Sequence, residues 1–81
     1  MEFIDGCFNF CTYDADLNEV IWWDLQKHPT VKPEYQVLRQ FGTTTVEDYD
    51  GNVLKLKGEE PYKAVILFAT MLGLKEAARE E

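Results

Sequence analysis

The fold class predicted by this 81-residue sequence is α+β, in the order ββαββα. A four-stranded antiparallel sheet would carry a long C-terminal helix (61–79) and a short helix (33–41) on one face. Three observations predict it. An apolar run, Ala64 to Leu74, follows Pro61, a residue suited to the first helical position, where its missing N–H costs nothing. Asp50-Gly51 stands between two alternating segments, the pattern of a tight β-hairpin. Lys32-Pro33 opens and Gly42 closes an eleven-residue stretch, the punctuation of a short helix.

The elements in chain order follow from local chemistry. Residues 3–13 alternate loosely and are rich in aromatics, which predicts a strand bent at Gly6. Phe8, Phe10 and Thr12 would share one face, with Cys7, Asn9, Cys11 and Tyr13 on the other. Asp14 to Asn18 is a turn-forming cluster. In residues 19–25, Val, Ile and two Trp in succession favour a strand over a helix, although Asp16 and Glu19 also fit a helix cap. A strand here returns on residues 7–13 as a hairpin, and Pro29 ends it. In the stretch 33–41, Glu34, Val37, Leu38 and Phe41 mark one helical face. Thr43 to Tyr49 and Asn52 to Lys57 then flank a type I′ turn at Asp50-Gly51, and Gly58 breaks the strand before the last helix. The two halves echo each other: Tyr13-Asp14 and Asn18-Glu19-Val20 match Tyr49-Asp50 and Asn52-Val53. With no linker or low-complexity tract, residues 1–81 read as one domain.

The C-terminal helix has two apolar sides. Tyr62, Val65, Phe68, Ala69 and Leu72 gather on one side, and Leu67, Met71, Leu74 and Ala78 form a second stripe nearly opposite. The first side suits a sheet. The second meets either the short helix or a second copy of the chain, so Leu67, Met71, Leu74 and Ala78 are the candidate oligomer interface. The apolar run is about half of the ~20 residues a membrane span needs.

Fifteen acidic residues against eight basic give a net charge of −7. Residues 1–28 hold six of the acids against one lysine. A general affinity for nucleic acid requires a basic footprint, and anionic membranes attract the same kind of surface, so both are excluded as direct partners. A partner selected by charge is basic. The absence of a positively charged start before an apolar segment makes cytoplasmic residence the expectation.

Catalytic and cofactor chemistry finds little material. Cys7, Cys11 and His28 are the only soft metal ligands, one short of a structural zinc site, and their spacing on a strand separates the thiols. The same separation, about 13 Å, precludes a disulfide. Asp14-x-Asp16-x-Asn18 opens like a calcium loop, but Glu19 stands where glycine is required and Leu25 where an acid is required. The glycines are scattered, so no phosphate loop forms. The chain has no serine, and so small a domain has little volume for a substrate cleft. The expectation is a protein that is not an enzyme, with no cofactor and no metal.

Binding is the better-supported class. On a strand, Trp22 and Trp23 point to opposite faces, so one can enter the core while the other stands toward solvent beside Asp14, Asp16 and Asp24 as an anchor. Glu47, Asp48 and Asp50, with Glu59 and Glu60, form a second negative ridge that could imitate phosphates before a basic groove. The function expected is a small acidic protein-binding module. It would be an inhibitor or adaptor engaging a basic, nucleic-acid-binding protein surface as a nucleic-acid mimic, in the manner of phage and mobile-element proteins. The alternative is a homo-oligomeric structural subunit, at simplest a homodimer, assembled through the C-terminal helix.

Overall fold

A computed structural model of the chain describes residues 1–79, with side chains described for residues 1–77. Five strands, β1 (Asn9–Asp14), β2 (Glu19–Trp23), β3 (Tyr35–Gln40), β4 (Thr43–Asp48) and β5 (Val53–Lys57), precede a single helix, α1 (Pro61–Arg79). The strands form one antiparallel sheet in the order β2-β1-β3-β4-β5. The α+β class holds, and the 61–79 helix keeps its expected bounds. Four strands become five, and the short helix at 33–41 is instead β3.

The stretch has the burial repeat of a strand, not of a helix. Tyr35 and Val37 are buried while their neighbours are half-exposed, which is a repeat of two rather than 3.6. Proline and glycine frame a strand as readily as a helix. What decides is the place waiting between the two hairpins: β3 pairs with β1 through Asn9–Val37 and Cys11–Tyr35, and with β4 through Val37–Val46. Without β3 the hairpins would be two separate marginal units.

One face of the sheet packs on α1. Cys11, Val20, Tyr35, Val37 and Val46 from the strands meet Ala64, Val65 and Phe68 from the helix, and these are the buried apolar core. The other face carries no helix. The expected strand at 3–13 is shorter, because residues 5–7 turn at Gly6 (φ +82°), whose N–H donates to the Arg39 carbonyl at 2.8 Å. Asn9 fixes this segment. It is fully buried, and its side chain accepts from the Ile4 N–H and donates to the Ile4 and Cys7 carbonyls.

The β4–β5 hairpin forms as expected but closes differently. The Asp48 N–H donates to the Asn52 carbonyl at 3.1 Å, so the loop is the three residues Tyr49-Asp50-Gly51 rather than a two-residue I′ turn. Gly51 (φ +95°) takes the left-handed position that such loops require. The two-residue turn is instead between β3 and β4, where Phe41 (φ +53°) and Gly42 (φ +74°) both have the positive φ of a type I′ turn. Phe41 is 94% exposed and is a bulky residue in a region that disfavours it. Phe41→Asn is therefore expected to raise stability by about 1 kcal/mol, read as a higher Tm, because it removes strain and forfeits no packing.

Candidate partner-binding cleft

Strand direction decides which loops meet. Each neighbour in the sheet is antiparallel, so β1 and β4 run the same way and their following loops, 15–18 and 49–52, emerge at one end. The start of β3 lies at that end too. The second half of α1 closes over it, and the result is a cleft of about 450 Å³. Tyr13 and Ala15, Glu34 and Tyr35, Asp48 to Asp50, and Ala69, Leu72, Gly73 and Glu76 line it. A smaller groove of about 310 Å³ continues past Asn52 to Lys75, the one basic residue in either lining among the described residues.

Each wall is held by local bonding. In the first loop the Asp14 carboxylate accepts from the N–H groups of Asp16 and Leu17. Asn18 closes the loop at φ +50°, with its side-chain oxygen accepting from the Tyr13 hydroxyl and its carbonyl from the Tyr62 hydroxyl, each at 2.9 Å. In the second loop Asp48 accepts from the N–H groups of Asp50 and Asn52 and from the Asn52 side-chain amide. Glu34 ties β3 to β1, donating its N–H to the Cys11 carbonyl and accepting the Tyr13 N–H, both at 2.9 Å.

The cleft floor is Tyr35, whose ring packs against Phe68 with centroids 5.9 Å apart. Burial pushes the Tyr35 phenol up to about 12, and the negative charge of Glu34, Asp48 and Glu76 adds to the rise. Burial also raises Tyr49, with Glu47 contributing. For Asp48, burial acts upward, but hydrogen bonds from Asn52, Asp50 and Gly51 outweigh it and hold the carboxyl below its ordinary value. Asp48 is therefore charged at neutral pH and committed to its loop, whereas no bond within the protein engages the side chains of Asp50 and Glu76 among the described residues. Phenol faces and carboxylates together favour a cation, by cation–π attraction and by charge-assisted hydrogen bonding.

The sequence-expected site residues are distributed as follows. Asp48 and Asp50 line the cleft, and Asp14 and Asp16 belong to the loop beside it. Asp24 does not join them. It lies at the far end of β2, about 17 Å along the strand from the first loop, with its carboxylate turned to the Gln26 N–H. The two tryptophans do part to opposite faces. Trp22 packs on the core side against Phe3 (5.1 Å between centroids). Trp23 lies on the helix-free face, donating to Thr12 Oγ1 at 2.9 Å and meeting the edge of His28 at 5.4 Å. Both are half-buried, so neither ring projects freely. Glu47 lies on the helix-free face beside Phe8, Leu38, Val53 and Lys55 around a separate hollow of about 410 Å³.

Leu67, Met71 and Leu74 are 45%, 44% and 66% exposed on the helix. Among the described residues no second helix covers them, and the Ala78 side chain lies outside those described. Cys7 is exposed, Cys11 is buried, and both are free thiols. Burial first, and then the charge of Glu34, push the Cys11 thiol up to about 12. Among the described residues no three His, Cys, Asp or Glu side chains gather as a metal site, and no helix is long and apolar enough to cross a membrane. Sequence reasoning missed Tyr13, Glu34, Tyr35, Tyr49 and Glu76. The signal for two of them was the echoed Tyr-Asp pair, whose copies stand on either side of the cleft. No known protein family, curated protein or solved structure matches this chain.

Proposed function

We propose that the protein is a non-catalytic binding module that engages a basic protein surface through the tyrosine-lined acidic cleft. The observation that carries the reading is the convergence of Tyr13, Tyr35 and Tyr49 with Glu34, Asp48, Asp50 and Glu76 around one 450 Å³ opening. That volume suits one or two arginine or lysine side chains rather than a drug-sized substrate buried on all sides. The loop carboxylates Asp14 and Asp16 extend the negative field and would act on encounter rate more than on residence time. A groove that binds nucleic acid presents such basic side chains, so a blocking or adaptor role toward a nucleic-acid-binding protein follows naturally.

The test uses an arginine-rich peptide as the probe. Asp50→Lys combined with Glu76→Lys, both exposed and neither spent on a structural bond, is expected to weaken binding at least tenfold and to flatten its salt dependence. Asp16→Lys alone is expected to slow association with little effect on dissociation. Unchanged affinity in the double variant would remove the cleft from the account.

A second reading, assembly through the helix, is favoured by one observation: the exposed Leu67, Met71 and Leu74 stripe. On that reading Met71→Glu would dissociate an oligomer without unfolding the chain.

A further inference from the structure

We propose that the free edge of β2 pairs with β2 of a second copy, antiparallel about a two-fold axis at Ile21, to make one continuous ten-stranded sheet. The direction of the main-chain groups carries the inference. In β1 the Tyr13 N–H and the Cys11 carbonyl both turn toward Glu34 at the head of β3, so Phe10 and Thr12 turn theirs toward β2. Those two residues face Trp23 and Ile21. The intervening Val20 and Trp22 therefore direct their N–H and C=O groups outward, away from the sheet. Just before the strand, the Asn18 carbonyl accepts the Tyr62 hydroxyl. No such bond reaches Val20 or Trp22 among the described residues.

The two open edges of the sheet differ in what they tolerate. In β5, the Asp48–Asn52 and Gly58–Gly42 bonds show that even-numbered residues turn inward, so Val53, Lys55 and Lys57 turn outward. Fully overlapped pairing of that edge with its own copy sets Lys55 against Lys55, and like charges directly opposite oppose pairing. The β2 edge has no such guard. About a two-fold axis at Ile21, each Val20 faces the second copy's Trp22, which supplies four N–H···O=C bonds in the correct alternation. Ile21 faces Ile21, and Glu19 faces Trp23 rather than another acid. The occupant is a second copy because this five-residue segment complements itself in hydrogen bonding, packing and charge.

A strand edge buries little area, so the association is of the weak, concentration-dependent class. The direct readout is amide hydrogen exchange of the wild-type protein at micromolar and at millimolar concentration. The Val20 and Trp22 amides are expected to slow about tenfold or more at the higher concentration, with Lys55 and Lys57 unchanged. Ile21→Lys, at a position already 38% exposed on the helix-free face, is expected to abolish both the slowing and the dimer in sedimentation, while the circular dichroism stays native. A millimolar wild type that remains monomeric with Val20 and Trp22 unprotected would overturn the proposal. So would a dimer that Met71→Glu dissolves and Ile21→Lys does not. Protection that appears only when another protein is added would assign the edge to a foreign strand and likewise exclude the second copy.

Discussion

Phe68→Ala is expected to lower the stability of the fold by about 3–5 kcal/mol, the range for removing a large aromatic from a close-packed core. Phe68 is buried at the middle of the helix face that meets the sheet, against the Tyr35 ring. Its loss leaves a cavity in a core rich in β-branched residues, Val37, Val46 and Val65 among them, which have little rotameric freedom to fill it. A domain of this size has a small margin, so the variant should be extensively unfolded well below the wild-type Tm. Thermal denaturation followed by circular dichroism measures this directly. A drop of less than about 1 kcal/mol would mean that the helix does not rest on the sheet through this residue.

The second large effect is polar. Asn9→Leu preserves volume but is expected to cost about 2–3 kcal/mol, because it removes three side-chain bonds to the main chain and leaves the Ile4 N–H and the Cys7 carbonyl, both part-buried, without partners. The Asn9 side chain also donates to the Ile4 carbonyl, which keeps a longer bond of 3.4 Å from the Cys7 N–H. The damage should be local first. The amide of Gly6, bonded to Arg39, is expected to lose exchange protection at milder conditions than the amides of β3 and β4. Near-neutral stability in Asn9→Leu would show that water or another rearrangement satisfies the turn at residues 4–7.

What the sequence made legible was local. Pro61, the apolar run behind it and the flanking charges specify a helix by themselves, and the structure keeps both of its ends. The Val-Ile-Trp-Trp run specifies a strand by side-chain shape, and it forms one. The stretch 33–41 was not legible, because its boundary residues serve helix and strand equally. The deciding interactions come from β1 and β4, which lie 24 or more residues before it and just after it in the pairing with Val37 and Tyr35. The same dependence hid the cleft. Acidic hairpin loops were visible one at a time, but only the insertion of β3 makes β1 and β4 parallel and brings both loops to one end. Glu34 and Glu76 carry no signal in their own neighbourhoods, since one reads as a helix-face residue and the other as an ordinary exposed charge. Neither tryptophan stands free, for a related reason. Phe3 and His28, which cover them, are distant or loop residues with no periodic pattern to announce the contact.

We propose above that the cleft between the two loops and the helix receives basic side chains. The most direct measurement is a map of backbone amide shifts in the labelled protein as a short arginine peptide is added. The expected result is saturable change confined to Tyr13, Ala15, Glu34, Tyr49, Asp50, Gly73 and Glu76, residues that line the cleft. The changes should weaken as salt is raised, since charge drives the contact. Changes spread evenly over all exposed carboxylates, including Glu2, Asp5 and Glu60 at a distance from the cleft, would contradict the claim and reduce the acidity to a solubility property.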